Sequence, residues 1–122
     1  MGTGIEPNHV RLKRAYEHPG SDDGKRILVD RLWPRGVSKG EAAIDEWMKE
    51  LSPSTELRKW YGHEPERWEE FQKRYAEELS QSHAQLEHLR DLARDSPVTL
   101  VYSAHDEARN NAVVLRNLLL KS

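Results

Sequence analysis

The sequence predicts an α/β protein, a small three-layer sandwich with a mostly parallel sheet of few strands flanked by about five helices. Three observations predict it. Ile27-Leu28-Val29 and Val98-Thr99-Leu100-Val101 are near-continuous apolar runs, the pattern of strands covered on both faces. The stretch between them carries helical spacing, so the runs form a parallel pair joined by a helical crossover of the usual right hand. The 122 residues are one domain's worth of chain, enough to bury a single core.

In chain order, residues 1–8 contain Gly2, Gly4 and Pro7 and show no periodicity. They read as a disordered tail ahead of a single domain over residues 9–122. From Val10, the alternation of Val10, Leu12 and Tyr16 with Arg11, Lys13 and Ala15 is that of a half-buried strand. His18-Pro19-Gly20-Ser21-Asp22-Asp23-Gly24 is a turn by composition. The second strand covers 27–33 and stops at Pro34, which cannot donate to a ladder. Four helices are expected next. Ser38-Lys39-Gly40-Glu41 fits a capping box, with Ile44, Trp47, Met48 and Leu51 on one helical face behind it. Pro53 starts the second helix, which presents Leu57, Trp60 and Tyr61 and stops at Gly62. Pro65 starts the third, with Trp68, Phe71, Tyr75 and Leu79 as its stripe. The fourth carries Leu86, Leu89 and Ala93 and ends before Pro97. The third strand spans 98–104. Asp106 caps a last helix with Ala112, Leu115, Leu118 and Leu119 buried.

Composition bounds the function. There is no cysteine, which excludes disulfides, thiolate metal sites and a cysteine nucleophile. No apolar run is long enough for a membrane span, and the start lacks a signal core; the chain reads as cytoplasmic. Residues 1–40 carry eight Lys/Arg against five Asp/Glu, whereas residues 41–96 carry eight against fourteen. The acidic helical region has the wrong sign for nucleic-acid phosphates, and the basic part is confined to the first two strands. Gly-x-Gly-x-x-Gly, phosphate-loop, Gly-x-Ser-x-Gly and His-Glu-x-x-His motifs are all absent, so no cofactor is named. His83 and His88 are spaced poorly for a helical chelate, and no metal site is expected.

Ligands of parallel sheets bind beyond the carboxyl ends of the strands. Here those ends are Arg31-Leu32-Trp33-Pro34-Arg35-Gly36 and Tyr102-Ser103-Ala104-His105-Asp106. Helix starts near Ser38 and Asp106 add anion-favouring N–H groups. Arginine suits planar recognition of carboxylate or phosphate. The expected site is a small anion-accepting pocket holding Arg31, Trp33, Arg35, His105, Asn110 and Asn111. Each residue also has a structural account. Arg31 can pair with Asp30 or a helical glutamate, and Trp33 can belong to the core with Trp47, Trp60 and Trp68. Asn110 and Asn111 can tie down a loop, and His63 can pack or cap after Gly62. His105 is the acid/base candidate. Asp30 reads either as a catalytic carboxylate or as an interior ion-pair partner of Arg14.

The segments Ile27-Leu28-Val29-Asp30-Arg31-Leu32-Trp33-Pro34-Arg35-Gly36, Ser52-Pro53-Ser54-Thr55-Glu56-Leu57-Arg58-Lys59-Trp60, Leu100-Val101-Tyr102-Ser103-Ala104 and Asn111-Ala112-Val113-Val114-Leu115 resemble the YeaO-like branch of the domain of unknown function 488 family. The likeness runs in order over roughly residues 10–120. It implies a small cytoplasmic α/β protein and delivers no reaction, although members are sometimes labelled transcription regulators. The matching pattern positions are Asp30, Arg31, Trp33, Pro34, Arg35, Ser52, Pro53, Arg58 and Tyr102. Turn geometry explains the prolines, leaving Arg31, Arg35 and Arg58 as the first candidates for ligand contacts. The wider family is noted for cysteines, and this chain has none. At position 105 similar sequences commonly carry lysine, which implies a cationic or proton-donating role for His105.

Three functions follow. The first is binding of a small anionic ligand, phosphorylated or nucleotide-like, with turnover left open. The second is a nucleic-acid-binding regulator built on the central helices. The third is an interaction module or homodimer using Trp60-Tyr61 as an exposed patch.

Overall fold

The computed structural model describes residues 4–121. Among them, four strands form one parallel sheet: β1 (Val10–Arg14), β2 (Lys25–Leu28), β3 (Glu46–Trp47) and β4 (Val98–Tyr102), in the order β1-β4-β2-β3. The expected parallel pairing of the second and last long strands is present, with Ile27 opposite Leu100 and Leu28 opposite Val101. β4 lies between two neighbours and is buried along its whole length.

Five α-helices accompany the sheet: α1 (Lys39–Ala42), α2 (Thr55–Tyr61), α3 (Trp68–Ser80), α4 (His83–Asp95) and α5 (Asn111–Leu120). Alternation along the strands divides the sheet into two faces. Val10, Ile27, Val29, Val98, Leu100 and Tyr102 join Phe71, Tyr75, Leu79, Leu89 and Leu115 in the main core. Ala15, Leu28 and Val101 form a smaller cluster on the other side, closed by Trp33 and Ile44. The helical layer therefore sits on one face, while loops and the single turn of α1 cover the other. That second face also holds an ionic group. Asp23 and Arg26 pair at 2.6 Å, both almost fully buried, and Lys13 reaches Asp23 at 3.0 Å. Burial alone would raise the Asp23 carboxyl, but the Gly20 N–H, Lys13 and Arg26 hold it below its ordinary value.

Several expected elements differ. Residues 38–51 do not form one helix. The capping box is there, Ser38 accepting from the Glu41 N–H at 3.1 Å and Glu41 accepting from the Ser38 N–H at 3.0 Å. The helix nevertheless ends after one turn at Ala43, which is left-handed with φ 49°. The chain then pairs with β2: the Asp45 N–H donates to the Arg26 carbonyl and the Met48 N–H to that of Leu28. Ile44 faces the smaller cluster while Met48 and Leu51 face the main core, so their spacing marks residues on opposite sides of a sheet edge. β2 also stops at Leu28, which puts Asp30 and Arg31 in the loop beyond it. α5 is capped by Asn110, whose Oδ1 accepts from the Val113 N–H at 3.1 Å; Asp106 caps the preceding turn instead.

Of the segment expected to be a tail, residues 1–3 lie outside the described residues, Ile5 is buried at 8% exposure, and Pro7–His9 form a 3-10 turn. The expected Trp60-Tyr61 patch is not exposed as a pair. Tyr61 is buried and stacked on Phe71 at 4.4 Å, and Trp60 is half-buried beneath the guanidinium groups of Arg67 and Arg74. No helix among the described residues is long and apolar enough to cross a membrane.

Candidate functional site

A cavity of about 240 Å³ opens at the carboxyl edge of β2 and β4. Its walls come from the loop after β2, the loop after β4, Pro53, α2 with the turn that ends it, and the start of α5. The parallel β2–β4 pair is what brings both strand-end loops to one place.

Asp30 forms the polar floor. Its carboxylate accepts the Ser103 N–H at 2.9 Å and the Asn111 amide at 3.1 Å. The same Asn111 amide nitrogen donates to the Val29 carbonyl at 2.9 Å, so one side chain ties α5 to the end of β2. Burial pushes the Asp30 carboxyl above its ordinary value, although Asn111, Ser103 and the nearby charge of Arg58 all favour the ionised form. The Ser103 Oγ is buried and makes no hydrogen bond of good geometry. Asp30 is not an ion-pair partner of Arg14. β4 lies between the strands that carry the two residues, and Arg14 turns instead to the carbonyls of Ala104 at 2.8 Å and Ser103 at 3.4 Å. It also lies 3.3 Å from His105 Nδ1, so β1 braces the loop that carries His105.

Cationic and protonatable groups surround this floor. Arg31 donates through Nε to the Pro53 carbonyl at 3.3 Å and forms no ion pair with Asp30 or with any other described residue. Arg58 lines the wall from α2, and its side chain makes no hydrogen bond to a described residue. Arg109, His63 and His105 complete the rim. Arg109 is partly engaged by Asp106 at 3.4 Å, within an exposed turn whose carboxylate is held below its ordinary value by the Ala108 and Arg109 N–H groups. Two guanidinium groups without a carboxylate partner, lining one cavity, can receive an oxyanion in bidentate fashion.

The structure brings together Asp30, Arg31, Arg58, His105, Asn110 and Asn111 of the expected site. It places Trp33, Arg35 and Tyr102 elsewhere. The Trp33 indole donates to the Val37 carbonyl at 2.6 Å and packs edge-on against Trp47 on the second face. Arg35 is exposed in the following turn, where its carbonyl accepts from the Tyr16 hydroxyl. Tyr102 is a core residue at 2% exposure, its hydroxyl pushed up by burial. Sequence reasoning missed Arg109 and passed over His63. The Asp106–Arg109 spacing ahead of a helix, and a histidine directly behind a glycine stop, were the available signals. Among the described residues no group of three or more His, Asp or Glu side chains is placed to hold a metal ion.

The fold defines a small parallel α/β protein with a cavity at the carboxyl edge of its sheet. The comparisons give its family. The family model DUF488-N3i, described as "Inactive DUF488-N3 subclade", matches residues 9–122, and the chain belongs to that family. It is 45% identical over 111 residues to the uncharacterized protein YeaO of Escherichia coli (strain K12), covering 91% of this chain and 96% of that one. It is 47% identical over 115 residues to the uncharacterized protein Rv3073c of Mycobacterium tuberculosis (strain ATCC 25618 / H37Rv), covering 94% and 97%. The same values hold for the uncharacterized protein Mb3100c of Mycobacterium bovis. No solved structure matches.

Proposed function

We propose that this protein binds a small anionic molecule, phosphorylated or nucleotide-like, in the cavity at the carboxyl edge of β2 and β4. The observation that carries the reading is the convergence of Arg31 and Arg58 on that cavity, neither of them neutralised by an ion pair among the described residues. Arg31 is half-buried, and a half-buried guanidinium without a carboxylate partner is costly unless a ligand or water meets it; Arg58 is exposed at the cavity wall and free to turn toward an anion. Arg109 extends the same sign of charge to the mouth, and His63 and His105 add ring nitrogens there that can donate. Asp30 serves as a structural acceptor under the site: both of its oxygens are taken up by Ser103 and Asn111, which leaves it poorly placed as a general base. The chain is without a cysteine, and among the described residues lining the cavity no nucleophile, base and orienting group form a hydrogen-bonded series. Binding without turnover agrees with the word "inactive" in the family description. The reading places the protein in the cytoplasm, where such metabolites occur.

The test is a thermal-shift and calorimetric screen of inorganic phosphate, sugar phosphates and nucleoside mono- and triphosphates. At least one is expected to raise Tm in a saturable way. Arg31→Ala and Arg58→Ala are each expected to weaken that ligand by roughly 10- to 100-fold, the scale of a lost charge-assisted hydrogen bond. Arg35→Ala is expected to bind as the parent does, because Arg35 lies outside the cavity. A screen in which no anion shifts the parent, or in which Arg35→Ala abolishes binding while Arg31→Ala does not, overturns the reading.

A further inference from the structure

α2 ends in two consecutive left-handed residues, Gly62 at φ 54° and His63 at φ 57°. Glycine is the ordinary residue for such a stop. Histidine is, with Asn and Asp, one of the few non-glycine residues that enter this region readily. The left-handed turn is fixed from both sides: the Gly62 N–H donates to the Arg58 carbonyl at 3.1 Å, and the Glu64 N–H to that of Tyr61 at 2.9 Å. The effect is to carry the imidazole to the rim of the cavity, where it is exposed. There it tilts against the Tyr61 ring at 5.9 Å and lies in the field of Asp106. No described residue hydrogen-bonds to either ring nitrogen. Asn or Gly would hold this left-handed backbone as well, so the turn by itself does not call for an imidazole at the cavity rim.

We propose that His63 is a ligand-binding residue that donates to a phosphate group, or a like tetrahedral oxyanion, held by Arg31 and Arg58; the assignment rests on the anion-binding reading above. Imidazole N–H and guanidinium N–H groups are complementary to the several acceptor oxygens of such a group. The ligand class narrows accordingly to phosphate esters, with carboxylates the weaker binders because they offer fewer acceptor oxygens.

The intact protein is titrated separately with inorganic phosphate and with AMP, and the tighter of the two is carried forward. The ring C–H signals of its six histidines are followed by NMR. The His63 signals are expected to move saturably with ligand, while those of His9, His18, His83 and His88, which do not line the cavity, stay in place. His63→Asn keeps a side chain suited to the left-handed backbone and is expected to weaken binding about 5- to 10-fold without lowering Tm. His63→Gly is expected to weaken binding by the same factor and to raise Tm, because the backbone strain is relieved. Stationary His63 signals, or an Asn variant that binds as the parent does while Arg31→Ala does not, overturn this assignment and leave the cavity reading standing. A parent that binds neither probe nor any other phosphate ester overturns both.

Discussion

Asp30 shows how one buried acid sets a pH signature. Burial raises its proton affinity in the folded state above its ordinary value of 3.8. The folded protein therefore keeps the proton to a higher pH than the unfolded chain does. The group's contribution to stability is greatest below the ordinary carboxylate range and falls as pH rises through the raised folded value. Asp23 runs the other way: its lowered value contributes stability above the ordinary range that is lost on acidification. Comparing Asp30→Asn with the parent isolates the first effect from the second. Measured by urea unfolding from about pH 3.5 to about pH 7, the variant's stability relative to the parent is expected to rise with pH. A relative stability that is flat or falls with pH contradicts the burial account. The place of Asp30 and Arg31 at the strand-end cavity was legible because two apolar runs announced the strand ends. Tyr102 misled because a hydroxyl at a strand end looks the same in sequence whether it faces a cavity or a core. Arg35 misled because β2 stops at Leu28, five residues before Trp33, where the proline signal predicts its end. Which way the backbone turns after Asp30 depends on long-range bonds to Ser103 and Asn111, and local pattern does not hold that information.

Some elements matched their local signals closely, and the 38–51 stretch departed from its signal most. α3 and α4 bury the stripes that their spacing announced, Phe71, Tyr75 and Leu79 in one and Leu86, Leu89 and Ala93 in the other. The 38–51 stretch carried an equally good helical stripe, yet its backbone bonds go to β2. Parallel pairing on an exposed sheet edge won over a propensity worth only tenths of a kcal/mol per residue. The switch point is Ala43, a residue with a Cβ in the left-handed region. Ala43→Gly is expected to stabilise the protein by about 0.5–1 kcal/mol, because the left-handed conformation costs glycine nothing. Thermal unfolding measures it; a lower Tm for the variant contradicts the account.

At the scale of the whole molecule, the parallel sheet is tight where two connections meet. Gly24, at φ +65°, lies against Pro97, and a Cβ there would stand 2.0 Å from the Pro97 carbonyl oxygen. The next residue closes the ladder, the Lys25 N–H donating to that same carbonyl at 3.2 Å. Gly24→Ala is expected to cost roughly 2–4 kcal/mol, combining backbone strain with a clash that only strand displacement relieves. Chemical denaturation checks it, and a loss under about 1 kcal/mol would show that the β2–β4 seam yields easily. The topology was legible because few arrangements satisfy two buried strands separated by helices. The position of the first strand, beyond β4 and away from β2, was not, since the short link over residues 15–24 carries no helix to mark a crossover. That position has a mechanical result. β1 is an outer strand, the kind that frays first, and Arg14 at its end grips the carbonyls of Ser103 and Ala104. Peeling the sheet's margin thus also lets go of one cavity wall, so the cavity is no more durable than the edge to which it is moored.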